Sequence, residues 1–285
     1  MTAFPSAAAQ AARQAVGTRL REIRLDAGLT VVELASRCGW HHAKTSRIEN
    51  ARSTPSTADI RRWCAACGVD DQAADLIAAS RNAQSMYTEW KRTMRTGLRR
   101  LQESYDDLFQ RTELFRVYSS RIVPGLLQTE GYASALLSGI AKFHETPADP
   151  NDVPAAAAAR LRRSRVIHEP GHRLALLVEE SVLHYRLGDS AAMAAQLGYL
   201  LTAGALPAVS LGVIPADLPD RAIRPLEAFH VYDDTLVAVE LLTARVTVTQ
   251  PSEVALYLRA FQQLRELAVY GADARALILR AIEGL

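Results

Sequence analysis

The sequence predicts an all-α domain of five helices followed by a larger α+β domain with a sheet of about five strands. Three observations carry this. Over the first stretch, apolar residues recur at steps of three and four, and Gly28, Gly39 and Gly68 fall where successive repeats stop. Beyond residue 113, apolar runs of strand length alternate with helical patterns. The chain has 285 residues, which allows two domains or one large one, and is 49% hydrophobic, ample for a real core. The expected parts are a flexible arm over 1–11, the helical domain over 12–82, a connecting amphipathic helix over 83–112 and the α+β domain over 113–285.

The first helix is expected over Ala12–Ala27, with Val16, Leu20, Ile23 and Ala27 as its apolar stripe and Arg19, Arg21 and Arg24 more exposed. Next comes Leu29–Asn50, read as two short helices and a tight turn. Thr30 is a good N-cap, and Glu33 three residues on completes a capping box. Leu34, Ala35 and Cys38 form one face. Gly39 sits where the chain must reverse, a position that favours φ > 0. Trp40 follows in the turn. The second helix of the pair runs from about His41 to Asn50, with Thr45 and Ile48 inward and His42, Ala43, Lys44, Ser46 and Arg47 outward.

An exposed helix end without acids can enter the major groove of DNA. On that reading His42, Ala43, Lys44 and Arg47 face base edges, and Thr30, Ser46 and Arg52 lie nearer phosphates. His41 stands at the helix start. A fourth helix is expected over Thr57–Cys67, capped by Ser56 and with Ile60, Trp63, Cys64 and Cys67 inward. A fifth runs from Asp70 or Asp71 to about Arg81, with Ala74, Ile77 and Ala78 inward.

The segment Gly17–Thr30, the Glu33–Ala35 triplet and the closing Ser46–Asn50 (SRIEN) resemble the XRE family of Cro and phage-repressor-like helix-turn-helix proteins. His41 departs from the Ser or Thr common at the start of the recognition helix, and His is a weaker cap. The resemblance implies a double-stranded DNA operator as partner. Regulators of this kind usually dimerise, so a homodimer is expected. The alternative, an αα-hairpin in an unrelated helical domain, would not need the turn glycine, the capping box and the SRIEN tail at these spacings.

Trp90, Met94, Leu98, Leu101, Tyr105 and Leu108 recur at helical spacing and predict one long amphipathic helix with a basic outer face at Lys91, Arg92, Arg95, Arg99 and Arg100. Gly97 argues against a stiff coiled coil. Strands are expected at Leu114–Ser119, Arg173–Val178, Val209–Ile214, Phe229–Tyr232, Val237–Leu242 and Val246–Thr249. Helices are expected from Thr129, over Ala155–His168 and Ala191–Ala203, and from Ser252 to Ile282 with a break after Tyr270. The proline-bearing stretches His144–Pro154 and Ala216–Pro225 read as loops. The run from Val123 to Ala133 (VPGLLQTEGYA) is similar to the signature of the large C-terminal domain of unknown function in actinobacterial WhiJ-type regulators. So are the arginine-rich Arg160–Arg165, Val178–Leu183 and Gln196–Leu201. This resemblance implies a regulator whose second domain senses a ligand or binds a small companion protein encoded nearby, as in an antitoxin-like arrangement.

No catalytic set is expected, and no cofactor or metal. There is no HExxH, P-loop or GxSxG. Cys64 and Cys67 form a CxxC, but both fall on the inferred buried face. His41 and His42 are adjacent and so point about 100° apart on a helix. Glu179 and Glu180 point opposite ways on a strand. His168 and His172 are separated by Pro170 and Gly171. Formal net charge is +2, so a basic surface for a polyanion must be local. No apolar run is long enough to span a membrane, the N-terminus does not read as a secretory signal, and a cytoplasmic location is expected. Two other readings stay open: an enzyme with an appended DNA-binding domain, and an interaction module that no longer binds DNA.

Overall fold

The computed structural model describes residues 7–82, 87–90, 94, 96–145, 149 and 151–285. The chain divides into two compact units, residues 1–87 with 247–255 and residues 88–246 with 256–285.

The first unit carries the five expected helices, α1 (Ala7–Asp26), α2 (Val31–Cys38), α3 (His42–Glu49), α4 (Thr57–Cys67) and α5 (Ala73–Asn82). Leu20, Leu34, Ile48, Ile60, Trp63 and Cys64 are fully buried among them. The Trp63 indole N–H donates to Leu20 O at 3.1 Å, so the largest core side chain leaves no polar atom stranded. The first helix begins at Ala7, in an alanine-rich run that favours helix. Two expectations are corrected. Ala74 is exposed, and Ala73 and Leu76 face inward with Ile77. A 3₁₀ turn over Asp70–Gln72 starts this last segment and rotates the helix that follows. Arg24, expected on the outer face, is buried.

The second unit holds a mixed sheet of β2 (Leu114–Ser119), β3 (Arg173–Glu179), β4 (Val209–Ile214), β5 (Phe229–Tyr232), β6 (Leu236–Glu240) and β7 (Ala244–Val248), with a short β1 (Tyr87–Glu89) at the edge. The order is β1-β7-β6-β5-β2-β3-β4. Parallel β2–β3–β4 meet antiparallel β5 and β6 across β2, with Val117 opposite Leu176 on one side and His230 on the other. Both faces of β2 and β3 are largely buried, so the runs read as continuous apolar stretches rather than alternating ones. Among the described residues, β2 to β7 fall on the six stretches expected to be strands, and the short β1 at Tyr87–Glu89 is the one addition.

The long helix expected over Trp90–Leu108 is interrupted. Residues 91–93 and 95, including three of its expected basic residues, lie outside the described residues. Gly97 takes φ 93, a backbone conformation that breaks a helix. After it come α6 (Leu98–Glu103) and α7 (Asp106–Arg111). The Asp152 carboxylate, distant in sequence, accepts Leu98 N–H at 2.7 Å and Arg99 N–H at 3.0 Å and so caps α6 from outside. The remaining helices are α8 (Glu130–Phe143), α9 (Asp152–Arg163), α10 (Ser181–His184), α11 (Ser190–Ala203), α12 (Pro251–Leu267) and α13 (Gly271–Glu283). The helix expected over Ala155–His168 starts three residues earlier and tightens after Arg163 into a 3₁₀ turn. Among the described residues, no helix is long and apolar enough to cross a membrane.

Candidate nucleic-acid interface

The turn between α2 and α3 is set locally. Thr30 Oγ1 accepts the Glu33 N–H at 3.2 Å, and the Glu33 carboxylate accepts the Thr30 N–H at 2.8 Å, which closes the expected capping box. Gly39 ends α2 at φ 71 and ψ 36, the left-handed conformation that a side chain would strain. His41 is the N-cap of α3: its Nδ1 accepts the Ala43 N–H at 3.2 Å, the role a Ser or Thr hydroxyl would take. Its ring stands 4.0 Å from that of His42. Thr45 and Ile48 point into the core as expected, and the Trp40 indole N–H donates to Thr45 Oγ1 at 2.8 Å.

A buried ion pair fixes the far end of α3. Arg24 Nε and Nη2 donate to the two Glu49 carboxylate oxygens at 2.6 and 3.0 Å, and Nη1 donates to Leu29 O at 2.7 Å. Both side chains are under a tenth exposed. The hydrogen bond to Glu49 raises the Arg24 pKa further, against the effect of burial. The arginine of the first helix and the glutamate of SRIEN thus hold α3 on α1. Gly17 permits the close approach. A Cβ there would lie 2.8 Å from Ile48 O and 2.9 Å from Glu49 O.

Of the residues expected to meet DNA, Thr30, His41, His42, Ser46, Arg47 and Arg52 are exposed, while Ala43 and Lys44 are half-buried. Among the described residues, the Arg47 guanidinium makes no hydrogen bond or ion pair. Lys44 differs. Its ammonium lies 2.5 Å from Asp59 Oδ1 and 4.5 Å from the centre of the Trp40 ring. Burial alone would raise the Asp59 carboxyl, but bonds from Lys44 and from the Ser56 backbone and hydroxyl hold it below the usual range. Asp59 also closes a capping box with Ser56 at the start of α4, a signal present in the sequence as Ser56-x-x-Asp59. Cys38 and Cys64 are buried, and burial pushes both thiols up to about 11, so they are packing residues that stay protonated.

A second site lies within the other unit. A cavity of about 390 Å³ opens between the sheet and the α6–α9 helices. One wall is apolar, with Trp90, Met94, Leu98, Leu137, Ile140 and Phe143. The other brings in Gln102, Gln128, Arg160, Arg163, His230 and Arg245. Arg160 donates to the side-chain oxygens of Gln102 at 3.1 Å and Gln128 at 2.7 Å. Arg163 donates to Gln102 O at 2.5 Å and to its side-chain oxygen at 3.1 Å, and lies 4.7 Å over the Phe109 ring. Burial, and then the charge of Arg160, push Arg163 down to about 10. Burial pushes His230 down to about 4, which leaves it neutral near pH 7.

The Val123–Ala133 stretch is the scaffold of this wall. Gln128 donates to Val123 O at 2.8 Å, and the Tyr132 hydroxyl accepts Val123 N–H at 3.1 Å. Buried Gln196 accepts Thr129 N–H at 2.8 Å and donates to Leu127 O at 2.6 Å. Three of the segments quoted from the sequence therefore meet in one hydrogen-bonded structure. The fourth contributes Glu179, which sits on the opposite face of β3. It pairs with Arg221 at 2.5 and 2.8 Å and accepts from the Tyr118 hydroxyl at 2.6 Å.

A family model described as a helix-turn-helix domain matches residues 15–77, and one described as a domain of unknown function (DUF5753) matches residues 103–280. No curated protein and no solved structure matches the chain.

Proposed function

The chain belongs to the DUF5753 family, and from that premise and its helix-turn-helix domain we propose that it is a sequence-specific DNA-binding transcription regulator. The observation that carries the reading is the construction of α3. Its inner face is locked by Ile48, Thr45 and the Arg24–Glu49 pair, while its outer face leaves His42, Ser46 and an unengaged Arg47 to solvent. A rigid helix with an uncommitted guanidinium on its open face suits major-groove readout, where Arg donates bidentately to guanine. The residue pattern supports the XRE subfamily, and the second-domain segments support a WhiJ-type regulator.

A single such domain reads one half-site, so the reading includes a homodimer on two half-sites about 34–36 Å apart. It assigns the second unit no catalytic step, but control of DNA affinity through an effector or a small companion protein. Such control requires an effector with different affinities for two states, typically about 1–3 kcal/mol apart. The test is a gel shift of the full chain on the region upstream of its own gene, with unrelated DNA as competitor. The expected result is a shifted band that survives the competitor and weakens steeply with salt. No band on that region, or one erased equally by unrelated DNA, rejects sequence-specific binding. Light scattering that shows a monomer at micromolar concentration with and without that DNA rejects the dimer.

A further inference from the structure

The cavity of the second unit brings together cationic groups that have no ion-pair partner among the described residues. Arg160, Arg163 and Arg245 all line it, and among the described residues none of the three forms an ion pair with a carboxylate. A guanidinium has five N–H donors. Arg160 and Arg163 each give two to glutamine or backbone oxygens. The Arg245 guanidinium makes no hydrogen bond among the described residues and lies 4.6 Å over the Tyr105 ring. Glu240 is the acid on the cavity wall, and it is exposed. Asp106 is near Arg163 but forms no ion pair with it, and its Oδ1 is buried without a partner. Withdrawing neighbouring cations from water without an ion-paired counter-charge is costly, and it is the arrangement that a bound anion would relieve.

The rest of the cavity is apolar and partly open. Phe143 and Leu242 line it and remain 64% and 68% exposed, so large apolar side chains stand unburied at its wall. The volume lies near the lower end of the range for cavities that enclose small organic ligands, about 300–1,000 Å³.

We propose that this cavity binds a small amphipathic anion: a carboxylate- or phosphate-like head on the guanidinium forks and an apolar body against Leu137, Ile140 and Phe143. Fork geometry matches either head bidentately. The aromatic faces of Tyr105 and Phe109 already hold the guanidiniums in place, so little ordering is left for the ligand to impose. This inference rests on the reading of the second unit as the controlling one, and names the chemical class of its effector.

The test titrates full-length protein by calorimetry with sodium decanoate, decyl phosphate, decanol and acetate, each below its micellar concentration. Decanoate or decyl phosphate is expected to bind about tenfold or more tightly than decanol and acetate, and the tighter of the two identifies the head. Arg245→Gln, which removes no hydrogen bond of the described structure, weakens that binding about tenfold with an unchanged melting temperature. Ile140→Trp, which fills the apolar half, abolishes it. Decanol binding as tightly as decanoate, acetate binding as tightly as decanoate, or no binding by either long-chain anion overturns the proposal. DNA affinity is measured in the same samples. Decanoate binding that leaves it unchanged supports the site and rejects only the controlling role.

Discussion

Arg24 in the first unit and Arg160 and Arg163 in the second are all withdrawn from bulk solvent, yet only Arg24 meets a carboxylate. Glu49 answers it with two hydrogen bonds, and Leu29 O takes a third donor. That cation is complete and serves the fold. Around Arg160 and Arg163 the acceptors are the neutral oxygens of Gln102 and Gln128, and the remaining neighbours are aromatic faces, another cation and the carboxylates of Glu240 and Asp106, neither of which forms an ion pair with them. The Arg221–Glu179 pair on the other face of β3 follows the Arg24 pattern within the second unit. A buried arginine therefore does not by itself mark a site. What sets the cavity arginines apart is the lack of an ion-paired acid among the described residues.

The comparison breaks most sharply on substitution. Arg24→Met strands the Glu49 carboxylate and is expected to cost about 3–5 kcal/mol, while Arg24→Met with Glu49→Leu recovers most of that loss. Arg163→Met strands no acid. It removes hydrogen bonds to Gln102 and relieves a desolvated charge, so a net change within about 1 kcal/mol is expected. Hydrogen exchange across α1–α4 and across α6–α9 in the full-length proteins reads the two effects separately. Equal losses would mean that the Arg163 cluster is as self-sufficient as the Arg24 pair.

Acid sharpens the same contrast. The His230 pKa is held near 4 against an ordinary 6.5, chiefly by burial. Arg160, Arg163 and Arg245 push it the same way, and Glu240 opposes them. A depressed histidine takes up its proton first in the unfolded chain. The second unit should therefore hold its full stability above about pH 6.5 and lose it progressively towards pH 4. His230→Gln should flatten that limb in urea melts. A wild-type limb identical to the variant's would show that His230 does not titrate in this window.

The smallest effect is expected at Lys44. The depressed Asp59 carboxyl contributes stability above the ordinary carboxylate value of about 3.9 and loses it as pH falls through its lower folded value. Lys44 is more than a third exposed, so Lys44→Met should cost at most about 1 kcal/mol near neutral pH and shrink this acid limb. A loss as large as that at Arg24 would place Lys44 among the core contacts.

What was legible in the sequence was local. Thr30, Glu33 and Gly39 act within a few residues of one another, so the turn and α3 could be placed from the chain alone. Arg24 could not, because its partner Glu49 is 25 residues away and helical spacing alone put it outside. The break in the Trp90–Leu108 pattern was signalled by Gly97, but the cap that restarts the helix comes from Asp152, across more than fifty residues. The central strands were legible because burial on both faces makes them continuous apolar runs. The cavity was not, since Gln102, Gln128, Arg160 and Arg245 converge only through the fold. The one signal was the coincidence of the Val123–Ala133 and Arg160–Arg165 segments, which proved to be hydrogen-bonded through Gln128 and Arg160.

Arg47 gives the most direct test of the central claim, that the open face of α3 reads DNA. Operator binding by full-length wild type and Arg47→Ala is measured by fluorescence anisotropy at several salt concentrations, alongside thermal melting. A loss of about 1–3 kcal/mol in operator affinity is expected, with discrimination relaxed at one base position and an unchanged melting temperature. Operator affinity equal to wild type at every salt concentration would contradict it.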